Sequence, residues 1–461
     1  MDNNIIQSID RFIAENERNI VRDIGRVVAV NSVLDMSTAK EGMPFGEGPA
    51  KALEVGLEIA KELGLDTYNC ENYIGYASIG DNKDYLATIT HLDVVPAGEG
   101  WTGDPFTLRE RDGYLIGRGI LDDKGPSIIC LYALKFLKEA GIPLRYSVRA
   151  LLGINEETGM DDVRYYLDNY PAPVFCFSPD SDFPVCNGEK GIFHGKIVSR
   201  LPLGNVVDIR GGIAANVIPD RAEAWVKAEK LESSEGIEVS EENGLWHLSA
   251  KGIGGHASTP AGTVNAIGLL VKYILDNKIC AAEEEKFFQL LNDLHRATDG
   301  SGLGVDADDG LFDPLTIIGG VIGVEDGHIY QVLDSRYPTN TSGEKIVSTI
   351  AEKAGDLADV VLDSDAVPFY MSLDNPAVQV CMNAYNTVCN EDAKPYTMGG
   401  GTYARAFPNT VAFGAAMSED ETPFGTTRGN AHQNDECIPL DELLTAAKIF
   451  ALSLMKLAEL Q

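Results

Sequence analysis

Residues 85–101 are YLATITHLDVVPAGEGW, and this stretch decides the fold. Its first part, 85–95, is a mostly apolar run with several β-branched residues, which predicts a buried strand. His91 and Asp93 stand two positions apart at the end of that strand, so we expect both side chains on one face of it. A carboxylate beside an imidazole is typical of a ring whose orientation and tautomer are fixed for metal binding. Taken alone, the pair is equally compatible with an ordinary polar strand end.

The segments on both sides of this strand alternate between helix and strand patterns. Amphipathic helices are predicted at 46–64, 125–140 and 159–169, and further buried strands at 145–154 and 173–178. Such alternation is typical of a largely parallel sheet flanked by helices. Ligands of these sheets bind at the carboxyl ends of the strands. Polar residues that directly follow a strand are therefore the first candidates for a functional site.

The middle of the chain has a different pattern. From about 188, half-exposed strands and two helices replace the α/β alternation, which returns after about 377. A chain of 461 residues has the length of two or three domains. We therefore predict a discontinuous α/β domain, residues 1–187 and 377–461, with a mixed, mostly parallel sheet. The residues between them, 188–376, are predicted to form an inserted α+β domain.

Composition limits the classes of function. With 37 basic and 70 acidic side chains the formal charge is −33, so neither nucleic acids nor membrane surfaces are expected partners. No apolar run approaches the roughly 18 residues that span a bilayer. The N-terminal segment predicts an amphipathic helix and not a signal peptide. Eight scattered cysteines without a CxxC pair indicate reduced thiols and a cytoplasmic location.

Three further segments place carboxylates at strand ends or turns. GRGILDDKGP carries Asp122 in a glycine-flanked turn before a helix, LLGINEETG ends in Glu156 and Glu157, and VFCFSPD ends in Asp180. His432 lies much later, in the loop sequence AHQNDE. Each of these segments, taken alone, is also compatible with a solvated turn or strand end.

Together, these side chains predict a site for two divalent ions. Two such ions need one bridging carboxylate and a few nitrogen or oxygen ligands each. Imidazole and carboxylate ligands favour Zn²⁺, with Mn²⁺ as the alternative. Asp122, Glu157, Asp180 and a hydroxide would balance the four positive charges. Adjacent carboxylates on a regular strand point to opposite sides, so Glu156 is left to accept a proton.

The motifs resemble those of the co-catalytic metallopeptidases, a family that includes aminoacylase, carboxypeptidase G, carnosinase and the bacterial PepV-type dipeptidases. The resemblance covers nearly the whole chain and rests on HLDVVPAGEGW, GRGILDDKGP, INEETG, SPDSDFPVCNGEKG and AHQNDE. The NGEKG run and the long middle block most resemble the PepV type. Asn155 stands where the family usually has Asp, at a position that is not a metal ligand.

The resemblance implies which residues bind the two ions. Asp122 would bridge them. His91 and Asp180 would complete the first site, and Glu157 and His432 the second.

The resemblance also implies roles for residues around the ions. Asp93 would orient His91, and Glu156 would be the general base that later protonates the leaving amine. The Asp122–Asp123 peptide bond would be cis. His256, in GIGGHASTP, would stabilise the developing oxyanion.

The implied substrate contacts lie in the middle block and just after it. Asn216 and Arg336 would bind the terminal carboxylate of the substrate. In MGGGTYAR, backbone N–H groups of Gly399, Gly400 and Gly401 would offer a second anion site at a helix start. The inserted domain would then be a lid of doubled ferredoxin-like architecture. A lid of this length stands in for the second subunit of dimeric relatives, which implies a monomer.

By resemblance we predict a metal-dependent dipeptidase that cleaves unblocked Xaa–Xaa dipeptides, including β-alanyl ones. An N-acyl-amino-acid deacylase or desuccinylase with the same metal chemistry is the alternative. A non-catalytic binding protein on the same fold is a third possibility. It is disfavoured because all five expected ligands and Glu156 are present.

Overall fold

The computed structural model describes residues 2–417, 422–425 and 428–460. The chain divides into two compact units. The outer unit comprises Met1–Asn187, Tyr370–Tyr396 and Gly401–Gln461, and the inserted unit comprises Gly188–Phe369 and Thr397–Gly400. The chain returns to the outer unit at 370, a few residues before the predicted boundary at 377, because Phe369–Tyr370 already forms a strand of the outer sheet.

The described residues contain a helix at each position predicted in the outer unit, and three helices in the inserted unit where the sequence patterns predicted two. Numbered along the chain, they are α1 (Asp2–Val28), α2 (Glu47–Glu62), α3 (Lys124–Glu139), α4 (Asp161–Asn169), α5 (Ala266–Asp276), α6 (Ala282–His295), α7 (Gly343–Ala354), α8 (Pro376–Cys389), α9 (Tyr403–Ala406) and α10 (Leu440–Leu457). Capping residues define several starts. Asn375 accepts a hydrogen bond from the Ala377 N–H before α8, and Ser342 accepts one from the Lys345 N–H before α7.

The strands of the described residues are numbered in the same way. The first twelve are β1 (Asp66–Cys70), β2 (Ile74–Ile79), β3 (Tyr85–His91), β4 (Arg109–Arg111), β5 (Tyr114–Ile116), β6 (Ser147–Gly153), β7 (Phe175–Ser178), β8 (Ser181–Asp182), β9 (Val185–Glu189), β10 (Gly191–Ser199), β11 (Val206–Gly211) and β12 (Val217–Ile218). The others are β13 (Arg221–Val226), β14 (Ile237–Glu242), β15 (Leu245–Lys251), β16 (Gly255–His256), β17 (Thr316–Glu325), β18 (His328–Tyr337), β19 (Ala358–Ala366), β20 (Phe369–Tyr370), β21 (Tyr396–Met398), β22 (Thr410–Phe413), β23 (Ala415–Ala416) and β24 (Cys437–Pro439).

The outer unit is built on a nine-stranded sheet. Its order is β1-β2-β6-β3-β7-β22-β9-β20, and β21 pairs with β9. The central strands β6, β3, β7 and β22 run parallel, whereas β1, β2 and β9 pair antiparallel. Every residue of β3 and β7 is buried, as their apolar sequences predicted. The predicted mixed sheet flanked by helices is confirmed.

The inserted unit contains an eight-stranded antiparallel sheet. Its order is β14-β15-β13-β11-β17-β18-β10-β19, and the two four-stranded halves meet where Gly211 of β11 pairs with Ile322 of β17. Helix α5 packs on β13 and β15, and α7 packs on β10 and β19. Alternate residues of β10 are buried, as expected for a sheet covered on one face. This is the doubled α+β architecture that the sequence predicted.

The cysteines contribute to the cores of both units. All eight are free thiols, and six of them are buried. Burial raises the pKa of the Cys70 thiol to about 11, so this group stays protonated at neutral pH.

Among residues 2–417, 422–425 and 428–460, no helix combines the length and the apolar character needed to cross a bilayer.

Candidate metal centre

Three parallel neighbours of the outer sheet deliver the polar residues singled out in the sequence. β3 ends at His91, β6 ends at Gly153 and β7 ends at Ser178. His91 pairs with Gly153 in register. Because parallel strands end at the same edge of a sheet, the segments that follow these strands emerge side by side.

Asp122 lies at the centre of the cluster, in the turn before α3. Its peptide bond to Asp123 is cis, as the resemblance implied. Its Oδ1 is 2.9 Å from Nε2 of His91, and its Oδ2 is 3.0 Å from Nε2 of His432. The two oxygens of one carboxylate therefore face two imidazoles, which is the arrangement of a bridging ligand.

Two other carboxylates accompany the histidines. Oε2 of Glu157 is 3.1 Å from Nε2 of His432, and Oδ2 of Asp180 is 3.7 Å from Nε2 of His91. His432 enters from a loop that is far from the other ligands in sequence. The structure thus brings all five sequence-predicted ligands together.

Glu156 belongs to the same cluster. One ligand atom each from His91, Glu156 and Asp180 lie within 4.8 Å of one another, and the same holds for His91, Asp122 and Glu157. By distance alone, Glu156 is therefore as well placed to bind an ion on the Asp180 side as to accept a proton there.

The sequence argument that separated Glu156 from Glu157 is wrong. It assumed a regular strand, whereas β6 ends at Gly153 and both glutamates lie in the turn that follows. The two residues still have different neighbours, because the turn directs Glu157 to His432 and Glu156 to the Asp180 side of the cluster.

Asp93 makes two different contacts. Its carboxylate supports this turn, and its backbone carbonyl contacts the ring of His91. Its carboxylate oxygens accept hydrogen bonds from the backbone N–H groups of Glu156 and Glu157, each at 3.2 Å. Nδ1 of His91 is 3.0 Å from the Asp93 carbonyl oxygen but 3.5 Å from its carboxylate. Nδ1 is therefore occupied by the backbone, which leaves Nε2 directed at Asp122.

Two buried carboxylate oxygens of the cluster have no hydrogen-bond partner among the described residues. They are Oε1 of Glu156 and Oε1 of Glu157. An unsatisfied buried polar group costs about 1–3 kcal/mol. Bound cations would satisfy such atoms, and imidazole and carboxylate are donors that Zn²⁺ and Mn²⁺ accept. The residues therefore fit the two ions that the sequence predicts.

The carboxylates of the cluster perturb one another. Burial and the neighbouring charge of Asp122 raise the pKa of Asp180 well above its usual range. Burial and Asp180 do the same to the pKa of Glu156. Burial would also raise the pKa of Asp122, but hydrogen bonds with His432 and His91 outweigh it and hold that pKa below its usual range.

The pKa values of the two histidines are raised, whereas burial alone would lower the pKa of an imidazole. Hydrogen bonds to Asp122 and then Glu157 raise the pKa of His432 to about 11. Burial would lower the pKa of His91, but hydrogen bonds to Asp122 and Asp93 raise it well above its ordinary value. In the metal-free protein both imidazoles therefore hold their protons to a higher pH than an isolated histidine does.

Two predicted substrate residues are neighbours within the inserted unit. β12 pairs with β16, and the Ala257 N–H donates to the Asn216 carbonyl oxygen at 2.9 Å. Nδ1 of the exposed His256 lies 2.7 Å from the Ser258 hydroxyl oxygen and accepts the Ser258 backbone N–H at 3.2 Å. When the ring is neutral, this bond places its proton on Nε2, which can then donate a hydrogen bond.

Arg336 is buried and tightly oriented in the same unit. Its Nε and Nη2 donate to the two oxygens of Asp334, at 2.8 and 2.9 Å. Nη1 donates to the Gly399 carbonyl oxygen at 3.0 Å. Asp334 is also 2.9 Å from Nε2 of His194, its cross-strand partner. Sequence analysis missed Asp334 and His194. The two-residue spacing of Asp334 and Arg336 on one strand was the available signal.

The glycine segment precedes a single helical turn, α9. Thr402 caps that turn by accepting a hydrogen bond from the Ala404 N–H. Gly399 and Gly400 belong to the inserted unit, whereas Gly401 belongs to the outer unit.

Another support of the centre was not found in the sequence. Oδ2 of Asp162 accepts the N–H groups of Ile154 and Asn155 at 2.8 and 3.0 Å, and the Tyr403 hydroxyl donates to the same oxygen. This bonding fixes the chain just before Glu156. In sequence, Asp162 looks like an ordinary acidic residue in the first turn of a helix, which is why no pattern identified it.

The fold and this cluster together define a metal-dependent hydrolase. Residues 87–456 match the family described as peptidase family M20/M25/M40. The chain therefore belongs to this family and is a metallopeptidase, which confirms the family that its motifs indicated.

Individual relatives agree with this assignment. The Beta-Ala-Xaa dipeptidase of Lactobacillus delbrueckii subsp. lactis is 32% identical over 467 aligned residues, which cover 97% of this chain and 98% of the relative. Among solved structures, human carnosine dipeptidase 1 aligns over 99% of both chains with a TM-score of 0.58 and 15% identity. The Sulfolobus solfataricus metallo-carboxypeptidase Sso-CP2 aligns over 96% of this chain and 99% of its own, with a TM-score of 0.57 and 17% identity. At these identities the two structures show a shared fold.

Metal uptake is expected to release protons. Because the pKa values of His91, His432 and Asp180 are raised, Zn²⁺ binding should displace protons from these groups, and affinity should fall as the pH falls. Calorimetric titration of the metal-free protein, in buffers of different ionisation enthalpy, should show net proton release. The variant H432Q should release fewer protons, and H247Q, in the inserted unit, should match the parent. Uptake without proton release would contradict these protonation states.

Proposed function

We propose that this metallopeptidase is a dipeptidase that hydrolyses unblocked Xaa–Xaa dipeptides, including β-alanyl ones. The observation that carries the proposal is the carboxylate of Asp122, whose two oxygens face His91 and His432 at 2.9 and 3.0 Å. The substrate class is supported by the Beta-Ala-Xaa dipeptidase that aligns along 97% of this chain.

In the proposed centre Asp122 would be shared by two ions. His91 and Asp180 would complete one site, and Glu157 and His432 would complete the other. Two divalent ions, with Zn²⁺ favoured over Mn²⁺, would polarise the peptide carbonyl and lower the pKa of a water molecule. The buried unpartnered oxygen of Glu157 supports this assignment.

Glu156 is the proposed proton carrier. Its carboxylate lies beside Asp180 and His91, where the attacking water would be held. It would accept the proton of the attacking water and return it to the leaving amine. Asp93 holds Glu156 in place through the backbone N–H.

The inserted unit supplies the proposed substrate contacts. His256, with its proton on Nε2, would donate a hydrogen bond to the developing oxyanion. Arg336, oriented by Asp334, would bind the terminal carboxylate together with Asn216. Backbone N–H groups of Gly399–Gly401 would bind an anionic substrate group.

We also propose that the protein acts as a monomer in the cytoplasm. The doubled sheet of the inserted unit supports the monomer, because its second half would replace the lid of a second subunit. The eight free thiols support a reducing compartment. Sedimentation of the purified chain tests the oligomeric state directly.

The substrate class can be tested with a matched panel. Free dipeptides, including a β-alanyl one, should give a higher kcat/KM than their N-acetyl or N-succinyl analogues, and tetrapeptides should be cleaved poorly. The physical reason is the recognition of both ends of a short substrate. A higher kcat/KM on the acylated compounds would instead identify a deacylase, and efficient tetrapeptide cleavage would also contradict the proposal.

Replacing Glu156 separates proton transfer from metal binding. E156Q keeps the side-chain shape but removes the base, so kcat should fall by about 10²–10⁴ while two ions per chain remain bound. Turnover is measured beside metal content, with E110Q on the exposed β4 as the matched control. Unchanged turnover in E156Q would remove the general-base assignment, and loss of an ion would make Glu156 a ligand.

Replacing Asp334 tests the carboxylate site. D334N removes the charge that orients Arg336, so KM for a free dipeptide should rise about tenfold or more, with a smaller change in kcat. The corresponding dipeptide amide lacks the terminal carboxylate and should respond little. D359N, on the exposed β19, is the control. An equal effect on both substrates would count against carboxylate binding by Arg336.

A further inference from the structure

Arg118 and Glu436 form a buried ion pair in the outer unit, close in sequence to two of the proposed ligands. Nη1 of Arg118 donates to Oε2 of Glu436 at 2.6 Å, and each side chain is only 1% exposed. A buried ion pair adds little net stability, because desolvation of both charges offsets their attraction. Its presence here is better explained by the backbone groups that it holds.

Glu436 holds the turn that presents Asp122. Its second oxygen, Oε1, accepts the backbone N–H groups of Leu121 and Asp122 at 3.0 and 3.2 Å. The backbone directly beneath the bridging carboxylate is therefore fixed by a residue that lies 314 positions later in the chain.

Arg118 holds the segment that presents His432. Its Nη2 lies 3.4 Å from the carbonyl oxygens of His432 and Ala97 and donates towards both. The guanidinium also lies over the ring of Trp101, with 5.2 Å between Cζ and the ring centroid. The pair thus forms a continuous connection from the Asp122 amide, through two side chains, to the His432 carbonyl.

His432 depends on such external support. Its side chain is 55% exposed, and its backbone has φ +65°, a left-handed conformation that is uncommon outside glycine. The loop has a second anchor in Asp435, which binds Thr102 and Arg109. Within the part of the chain that the structure describes, Asp435 makes no hydrogen bond to Asp122, so it fixes the loop without setting its distance from the proposed bridging carboxylate.

We propose that Arg118 and Glu436 are positioning residues that set the spacing of Asp122 and His432. They would thereby control the affinity for the ion assigned to Asp122, Glu157 and His432. The inference rests on the proposed two-ion centre. The ion assigned to His91 and Asp180 shares only Asp122 with the other, so it should depend less on the pair.

The test is a metal titration of the metal-free full chain with Zn²⁺ or the spectroscopic probe Co²⁺. In E436Q the ion assigned to Asp122, Glu157 and His432, identified as the one whose affinity H432Q weakens more, should lose affinity by about 10–100-fold, the usual cost of removing a group that orients a ligand. The other ion should lose clearly less affinity, because it shares only Asp122. R118K keeps the charge but shortens the reach to His432, so it should show a smaller loss for the same ion.

The control is D23N, which removes another buried carboxylate of the outer unit. Asp23 bonds to Arg22, Arg26 and Tyr132 and, among the described residues, makes no hydrogen bond to a proposed ligand. D23N should bind both ions like the parent. Parental affinity for both ions in E436Q, or an equal loss for both, would overturn the inference. If E436Q does not fold, parental two-ion binding by R118K would overturn it. Failure of the parent itself to bind two ions would refute the proposed centre instead.

Discussion

Repulsion between carboxylates crowded at the ends of buried strands is the constraint on which the rest of this structure depends. Asp122, Glu156, Glu157 and Asp180 converge within a few ångströms of two imidazoles. Burial makes each of their charges costly, and the raised pKa values of Glu156 and Asp180 record that cost. Such a cluster is compatible with a folded chain only when protons or cations compensate it.

In the outer unit, backbone N–H groups around this cluster are bonded to a further set of buried carboxylates. Asp93 accepts the amides of the two glutamates, Asp162 accepts those just before them, and Glu436 accepts the amide of Asp122. Each of these carboxylates is itself buried and uses a backbone N–H as its donor. The segments that carry the proposed ligands are therefore held by buried carboxylates that accept backbone N–H groups, one layer further out.

The inserted unit also contains a buried charge that a neighbouring group must compensate, the guanidinium of Arg336. Arg336 is buried, and the paired oxygens of Asp334 compensate its charge and fix its plane. Antiparallel register supplies the geometry, because β10 places His194 directly opposite Asp334 on β18. A guanidinium held in this way keeps one orientation before any substrate arrives, which reduces the entropy lost on binding.

The sequence by itself determined the fold class and the family, and it identified the set of proposed ligands. Strand periodicity is local, and the residues that follow β3, β6 and β7 must emerge at one edge because parallel strands share a direction. Only the tertiary structure decided which atoms meet. Glu156 and Glu157 lie in a turn and not on a strand, and their backbone N–H groups donate to the Asp93 carboxylate. Arg336 pairs with Asp334. The tertiary structure also joined Arg118 to Glu436 across 318 positions. Contacts of this kind depend on how distant segments pack, and no local pattern of residues specifies that packing.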